Sequence, residues 1–506
     1  MQATYTSFYF FCFFAVALIL YYACPVKARM WVLSGISICF YLLTGNGILV
    51  LFPIFGGALS YAMGLLMEKR RKTALTITLV GLLGALVVYK YVHLGVNIIN
   101  SFSGLFAGNP ELIKLASYMA PLGISFYTFS LLSYVIDVYN GIIPPEKSFI
   151  KIFAYGVYFP TMLSGPILKY RESSEKFFED HVFSYKRFTF GLQRMLWGLF
   201  KILVISERCR ILVDTVYNSP DEHEGLWIII ASLLYAVTLY TNFSGCMDMV
   251  LGMSSCFGIE LPENFDTPFL ARTISEYWRR WHITLGTFMK EYVFYPVLRT
   301  KSMTKLASKS KKKFGKKKGK IITNTVATFV LWLTVGVWHG GDYKYIIGSG
   351  LLHWVYITLE EIFDDPFKKL WTKLNVNPEN GVLNALRVVR TFILVDIGFV
   401  FFRADSVSHA LRLFRGMFER THFELGDMDN LFGLSLKWDD YIILIICIAI
   451  MIAVEMYNRS ESIYEKIAGL NIVPRWIIYM GFLFVVILWG IYGPGFSAAA
   501  FIYQGF

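Results

Sequence analysis

The chain has 506 residues, of which 56% are hydrophobic and 17% are charged. Because soluble domains carry roughly a quarter charged residues, this composition excludes a soluble, disordered or fibrous protein and predicts an integral membrane protein. The formal net charge is +12, yet eleven basic residues and no acid lie between positions 299 and 320, so nearly all of the excess charge belongs to one segment.

Apolar runs long enough to cross about 30 Å of hydrocarbon recur along the chain, which predicts an all-α polytopic membrane protein with about 11–13 transmembrane helices. The predicted spans lie near 8–24, 30–44, 47–66, 74–92, 117–139, 188–206, 226–245, 322–341, 344–360, 386–403, 440–457 and 475–492. Shorter or interrupted apolar stretches favour re-entrant or interfacial segments, which need surrounding protein. These stretches lie at 150–168, 247–261 and 283–298.

Short basic loops predict the orientation of the chain. Lysine and arginine are concentrated at 27–29, 68–72, 147–151 and 299–320. Because cytoplasmic loops carry an excess of these residues, we expect all four on the cytoplasmic side of the cell membrane, and the N-terminus then lies outside. The first apolar run lacks a basic leader, so we expect no cleaved signal peptide.

The segment 299–320 is lysine-rich and low in complexity. Its like charges repel and nothing apolar is available to pack, which predicts a mobile loop that touches anionic membrane lipids. The alternative is that this loop binds an acidic partner protein. Nucleic acid is not expected as a partner, because no aromatic stacking platform accompanies the lysines.

The cysteines and histidines show no metal-binding pattern. The seven cysteines form no C-x-x-C pair and no cluster with zinc spacing, which predicts buried, inert thiols. His339 and His353 are fourteen residues apart with no carboxylate in pattern, so we expect no metal. The sequence contains no H-E-x-x-H, G-x-S-x-G or P-loop motif, which argues against a zinc protease, an α/β-hydrolase and a P-loop ATPase.

Polar residues interrupt the apolar runs in two places, and each is a candidate site because ionisable groups are costly in hydrocarbon. The first place begins with N-F-S-G-C-M-D, whose polar ends are Asn242 and Asp248. It continues with P-E-N-F at 262–265 and S-E-Y-W-R-R-W-H at 275–282. The second place is G-V-W-H-G-G at 336–341.

His339, in the second place, follows Trp338 at the end of about twenty apolar residues that begin beside the basic segment. If wholly helical, the stretch from Lys320 to His339 spans about 28 Å, which puts the imidazole far from the cytoplasmic surface. A buried neutral histidine can act as a general base on a hydroxyl. The alternative is a structural histidine that is hydrogen-bonded between helices.

His282 ends a run of alternating tryptophans and arginines. The preceding residues are Trp278, Arg279, Arg280 and Trp281. This pattern suits a membrane interface, where tryptophan lies at the headgroups and arginine binds phosphate. The phosphates belong either to lipid or to a nucleotide-bearing acyl donor, and a simple interfacial anchor is the alternative.

Several of these segments together resemble the membrane-bound O-acyltransferase (MBOAT) superfamily, in the branch with the alginate O-acetyltransferase membrane subunit and the D-alanyl transfer protein of teichoic acids. The matching stretches are F-P-T-M-L-S-G-P-I-L-K-Y-R at 159–171, N-F-S-G-C-M-D at 242–248, P-E-N-F at 262–265, Y-W-R-R-W-H-I-T-L at 277–285, W-H-G at 338–340 and V-F-F-R-A at 400–404. Each motif is weak by itself, but in this order they form a specific combination.

The resemblance implies that His339 is the active-site histidine of the superfamily and that His282 is the second histidine typical of this branch. It also implies a thinned core, with a donor opening to the cytoplasm and an acceptor opening outside. We therefore expect one integral membrane domain over 1–506. Its MBOAT-like core covers about 118–404, with N-terminal helices at 1–117 and extra C-terminal helices at 405–506.

The leading hypothesis is that acetyl moves from a cytoplasmic thioester such as acetyl-CoA to hydroxyls of a cell-surface or secreted polysaccharide, through an extracellular partner that accepts the acyl group. His339 is expected to deprotonate the hydroxyl, and His282 to orient the donor or stabilise charge at the carbonyl oxygen. The candidate substrate-binding residues are Trp278, Arg279, Arg280, Trp281, Asp248, Asn242 and Trp338. We expect no bound cofactor.

Two alternatives remain open at this point. One is transfer of D-alanine to teichoic acid from a small acyl-carrier protein, whose acidic surface would suit the basic segment. The other, from a different class of function, is a transporter of a polysaccharide or lipid precursor. A transporter predicts inverted repeats and paired broken helices, and neither is visible in the sequence.

Overall fold

A computed structural model describes residues 4–107, 121–223, 225–419 and 436–492. These residues are mainly helical, and they contain no β-strand, only one isolated backbone bridge. Eight of the described helices are long and apolar enough to cross a membrane. The prediction of an all-α polytopic membrane protein is therefore confirmed.

The long apolar helices account for most of the predicted spans. They are Val26–Thr44, Gly47–Val92, Tyr185–Asn218, Gly225–Cys256, Lys301–His339, Tyr343–Lys373, Trp438–Asn458 and Ile472–Trp489. Two shorter apolar helices, Phe8–Ala23 and Ile124–Tyr139, correspond to further predicted spans. The predicted start of the latter span, at 117, lies outside the described residues.

Two predicted spans near the N-terminus share one helical stretch. The helix Leu51–Ala107 has a kink at Arg70, whose backbone is not helical, and this kink separates the predicted spans 47–66 and 74–92. The predicted span 386–403 lies in Gly381–Arg403, which carries charged residues along its length. Further α-helices are Phe149–Gly156, Tyr170–Phe178, Ile274–Arg280, Ile283–Met289, Tyr295–Leu298, Val407–Glu419 and Ile463–Ala468.

The chain forms two compact units. Of the described residues, those within 1–207, 239–263 and 446–506 form the first unit, and those within 208–238 and 264–445 form the second. The single membrane domain and the boundaries of its core, 118–404, stay predictions.

In the first unit, glycines allow two helices to cross closely. A Cβ atom at Gly198 would lie 2.6 Å from the carbonyl oxygen of Gly245, and one at Gly191 would lie 2.5 Å from that of Gly252. Small residues let helix backbones approach in this way. The crossing brings the polar side chains of Tyr185–Asn218 and Gly225–Cys256 within reach of each other.

In the second unit, a similar crossing positions the end of Lys301–His339. A Cβ atom at Gly336 would lie 2.9 Å from Cα of Ile346 and 3.2 Å from Cα of Gly350. Gly340, next to His339, is covered by an aromatic ring, because a Cβ atom there would lie 2.7 Å from the Tyr345 ring. The end of this helix is therefore held by close backbone and aromatic contacts.

The prediction that 299–320 is a loop is wrong. Lys301–His339 is helical on both sides of Gly315, whose φ of +80° breaks the helix. The two arms touch where a Cβ atom at Gly319 would lie 2.6 Å from the backbone nitrogen of Lys311. Lysine is a good helix former and its charge stays in solvent, so repulsion does not unfold the arms. We call residues 301–320 the basic hairpin.

Two other expectations need correction. The stretch 247–261 is not a re-entrant segment, because the helix Gly225–Cys256 continues through Asp248. Its polar side chains find partners on a neighbouring helix, as described below. Of the seven cysteines, Cys209, Cys246, Cys256 and Cys447 are buried as expected, but Cys12 and Cys39 are exposed because they lie on apolar helix faces that the protein does not cover.

Candidate active site

The segment that carries His282 is held by backbone pairing with the segment that follows Glu263. Phe265 and Trp281 form an antiparallel bridge. The backbone N–H of Asp266 donates to the Arg280 carbonyl oxygen at 3.0 Å, and that of Ile283 donates to the Asn264 carbonyl oxygen at 3.0 Å. This pairing places the end of the P-E-N-F motif against the residues on both sides of His282.

His282 is buried, with 1% of its surface exposed, and has a left-handed backbone with φ of +47° and ψ of +52°. A non-glycine residue adopts this conformation only where its surroundings hold it. Its Nδ1 atom lies 3.2 Å from Oδ1 of Asn264. Burial lowers the pKa of the His282 imidazole to about 3, so the ring is neutral near pH 7 in this segment between the long apolar helices.

His339 is the last residue of its helix and is also buried. The ring centroids of His339 and Trp338 are 4.9 Å apart, and those of His282 and Trp338 are 5.8 Å apart. Phe402, from the V-F-F-R-A motif, packs edge-on against His339 at 5.3 Å. The structure therefore brings the two predicted histidines together around one tryptophan.

The two tryptophans before His282 point into the protein. Trp281 is 2% exposed, and its ring lies 5.1 Å from that of Phe265. The Nε1–H of Trp278 donates to Nδ1 of His353 at 3.2 Å, and the Trp278 ring lies 4.7 Å from that of Trp332. A simple interfacial anchor does not describe Trp281, because aromatic packing buries it.

The two arginines of the same run differ in their partners. Arg280 forms an ion pair with Glu276 at 2.6 Å and donates to the Thr267 hydroxyl at 3.2 Å. Arg279 is exposed and forms no ion pair with any residue that the structure describes. Arg279 is therefore the more accessible of the two for a phosphate group.

Asp248 and Asn242 belong to the first unit, whereas the two histidines belong to the second. Asp248 forms ion pairs with Lys201 at 2.6 Å and with Arg194 at 3.0 Å. Lys201 also donates to the Ser244 hydroxyl at 3.0 Å. Asn242 is buried on the same helix as Asp248. Asp248 is therefore paired with two cations of its own unit, Arg194 and Lys201.

The cluster around Asp248 extends in two directions. Arg194 forms paired hydrogen bonds with the carboxylate of Glu263, one of them 2.6 Å long, and both residues line a cavity of about 800 Å³. Lys201 also lies 3.8 Å from Glu455, which accepts a 2.7 Å hydrogen bond from the Tyr240 hydroxyl. Arg194, Lys201, Asp248, Glu263 and Glu455 therefore form one ionic cluster, in which Asp248 and Lys201 are buried and Glu263 is exposed.

Sequence reasoning missed three residues that these contacts reveal: Arg194, Lys201 and Glu455. Lys201 and Glu455 were identifiable in the sequence, because each is a charged residue in an apolar run. His353 also lies in an apolar run, but it was considered only as a metal ligand, and nothing in the sequence identifies Trp278 as its partner. Within the described residues, no group of three or more His, Cys, Asp or Glu side chains is arranged to hold a metal ion.

The chain matches a known protein family and several relatives. Residues 143–389, which include His282 and His339, match the model of the membrane-bound O-acyltransferase family. A probable alginate O-acetylase, AlgI, from Pseudomonas aeruginosa is 30% identical over 435 residues, covering 84% of this chain and 77% of the relative.

Two further relatives match less of the chain. The peptidoglycan O-acetyltransferase of Helicobacter pylori is 27% identical, over 63% of this chain and 60% of the relative. The teichoic acid D-alanyltransferase of Bacillus subtilis is also 27% identical, over 57% of this chain and 70% of the relative. All three names describe the transfer of an acyl group.

Proposed function

The chain belongs to the membrane-bound O-acyltransferase family and is an O-acyltransferase, and we propose that it moves acetyl from a cytoplasmic thioester to hydroxyls of a cell-surface or secreted polysaccharide. The observation that carries this proposal is the pair of buried histidines that share Trp338 within the family-matching region. Acetyl is favoured as the acyl group because the relatives named for O-acetylation match 84% and 63% of the chain, against 57% for the D-alanyl relative.

In the proposed reaction, His339 takes the proton of the attacking hydroxyl, and the hydroxyl oxygen bonds to the thioester carbonyl carbon. The carbon–sulfur bond then breaks, and the leaving thiolate takes up the proton from His339. The products are an O-acetyl ester and a free thiol. General-base assistance of this kind is worth about 10²–10⁴-fold in rate.

The donor in this proposal is acetyl-CoA, bound as a substrate. Arg279 is the first candidate for the donor phosphates because it is exposed and forms no ion pair among the described residues. Arg280 has a carboxylate partner already, in Glu276. The acceptor is a hydroxyl presented outside the membrane, either on the polysaccharide or on an extracellular protein that carries the acyl group onward.

The choice between acetyl and D-alanyl donors gives a direct test. We expect purified, reconstituted protein to transfer label from radiolabelled acetyl-CoA to an acceptor, and not from a D-alanyl carrier protein, with the His339→Ala variant as the blank. Transfer from the carrier alone would replace this proposal with D-alanylation. A neighbouring gene for a secreted hydrolase-like acetyltransferase would support acetylation, whereas a carrier-protein gene would support D-alanylation.

We also propose that the basic hairpin lies at the cytoplasmic headgroups. Its lysines are exposed, and Phe314, at the break, is 47% exposed beside them. The apolar part of the helix starts at Ile321. At 1.5 Å per residue, Gly315 then lies about 9 Å from Ile321 on the cytoplasmic side, which is the level of the lipid headgroups. Exposed lysines at this level attract anionic lipids by about 1 kcal/mol each.

The same side of the membrane is proposed for the other basic loops of the first unit. Arg29 donates to the His181 carbonyl oxygen, and Nζ of Lys151 lies 5.3 Å from the centre of the Phe178 ring. These two basic segments therefore contact one short stretch of chain, 178–181. Helix Phe8–Ala23 ends shortly before Arg29, which supports an N-terminus on the opposite side of the membrane.

Trypsin tests the placement of the hairpin, because it cleaves after lysine. We expect cleavage within 301–320 in inverted membrane vesicles and none in intact spheroplasts. In proteoliposomes, anionic lipid should slow this cleavage relative to neutral lipid, because bound headgroups shield the lysines. Cleavage in spheroplasts would contradict the proposed orientation, and equal rates in both lipids would contradict the lipid contact.

A further inference from the structure

The side chain of Asn264 links His282 to the chain around it. Asn264 is 1% exposed, and its Oδ1 atom lies 3.2 Å from Nδ1 of His282. The same oxygen accepts hydrogen bonds from the backbone N–H and the hydroxyl of Thr284, each at 3.0 Å. Three groups of the short stretch 282–284 therefore converge on one amide oxygen.

The identity of that atom determines which nitrogen of His282 carries the proton. A backbone N–H can only donate, so the Asn264 atom facing Thr284 must be the oxygen and not the amide nitrogen. An amide oxygen only accepts, so Nδ1 of His282 must be the donor. In a neutral imidazole the other nitrogen, Nε2, then carries the lone pair.

We propose that Asn264 is a positioning residue that holds His282 as its Nδ1–H tautomer, so that Nε2 accepts a hydrogen bond from an O–H or N–H group of a substrate. This inference rests on the proposed acyl transfer. It separates the two roles expected for His282, because a neutral ring with its proton on Nδ1 cannot donate from Nε2 to a developing oxyanion. Orientation of a substrate through an accepted hydrogen bond is the role that remains.

The hydrogen bonds to Asn264 also account for the left-handed backbone conformation of His282. The left-handed conformation turns the chain so that the ring and the Thr284 N–H meet the same oxygen, while the Ile283 N–H meets the Asn264 backbone carbonyl at 3.0 Å. At metal sites, partners of this kind fix the orientation and tautomer of the ligating imidazole, and their removal costs about 10–100-fold in metal affinity or activity. We expect a loss of similar size here. The P-E-N-F motif thus contributes a side chain that touches the histidine and not the reacting atoms.

The test compares two substitutions of the same side chain. Asn264→Leu keeps a similar size but removes the acceptor, and we expect kcat to fall about 10–100-fold. Asn264→Asp keeps an oxygen acceptor for all three donors, and we expect it to recover most of that loss. A half-buried asparagine elsewhere in the second unit, Asn324, which donates to Glu361, is the control for lost amide contacts. We expect Asn324→Leu to keep kcat near wild type.

The substrate that meets Nε2 is identified from the Michaelis constants of Asn264→Leu. A higher KM for the thioester with an unchanged KM for the hydroxyl acceptor places the accepted hydrogen bond on the donor. The reverse places it on the acceptor. Wild-type kcat and both KM values in Asn264→Leu would overturn the proposal, as would an Asn264→Asp variant no better than Asn264→Leu while both remain folded by thermal melting.

A spectroscopic measurement tests the tautomer without any substrate. In full-length protein labelled with ¹⁵N-histidine, the NMR signals that are lost in His282→Gln identify the His282 ring. We expect their chemical shifts to report a protonated Nδ1 and an unprotonated Nε2. A protonated Nε2 in the wild type would overturn the inference. If the expected tautomer is found but neither acyl donor reacts, the proposed function fails and the assignment of Asn264 stands.

Discussion

His339→Ala is expected to lower the rate of acyl transfer by about 10²–10⁴-fold while the protein still folds. The His339 imidazole packs against Trp338 and Phe402 at the end of its helix. Among the described residues, His282 is the one other histidine whose ring packs against Trp338. Loss of the ring removes the proposed base but leaves the helix crossing at Gly336 in place. The measurement is label transferred from acetyl-CoA per unit time at saturating donor.

The control for His339→Ala is a buried histidine outside the site. His409 is 5% exposed, and its Nδ1 accepts a hydrogen bond from the Asp405 backbone. We expect His409→Ala to keep transfer near the wild-type rate, although it also loses a buried ring. Wild-type transfer by His339→Ala would remove His339 from the mechanism, and equal losses in the two variants would indicate a general effect of cavity formation.

Asp248→Asn is expected to lower the free energy of unfolding by about 3–5 kcal/mol, because it leaves buried positive charge without its partner. The side chains of Asp248 and Lys201 are 8% and 5% exposed, so water does little to screen them. Arg194 keeps Glu263 as an ionic partner, but the one ionic partner that Lys201 keeps among the described residues is the more distant Glu455. Unfolding by SDS in mixed micelles measures the difference.

Two comparisons make this stability prediction specific. Glu260→Gln breaks two exposed ion pairs, with Lys176 at 2.8 Å and with Arg187 at 3.7 Å. Because water screens both pairs, this substitution should change the stability by no more than about 1 kcal/mol. Adding Lys201→Met to Asp248→Asn removes both charges, so the double variant should be more stable than Asp248→Asn alone. A double variant less stable than the single one would mean that Lys201 is stabilised by groups other than Asp248.

The sequence was sufficient for features that depend on local composition. Runs of apolar residues predict the long helices, and the polar motifs ending at His282 and His339 identify the residues that the structure brings together at Trp338. These signals are readable because a membrane penalises every charged or polar group within a run. Their placement on the chain needs no knowledge of the neighbouring helices.

For the basic hairpin, charge density alone predicted the wrong backbone conformation. The lysine side chains are exposed, so helix propensity decides the backbone conformation, and the helix is interrupted at Gly315. Asp248 shows the opposite case. Its position in an apolar helix is visible in the sequence, but the cations that neutralise it come from another helix across a glycine crossing.

By itself, the sequence determined that this chain is a helical membrane protein, where its long helices lie and which two histidines to consider. Only the tertiary structure decided which side chains neutralise Asp248, that His353 accepts from Trp278, and that Asn264 meets Nδ1 of His282. The reason is that hydropathy and helix propensity act along the chain, whereas hydrogen bonds and ion pairs join residues that folding brings within about 3 Å of each other. Which ring nitrogen of His282 carries the proton therefore depends on tertiary packing.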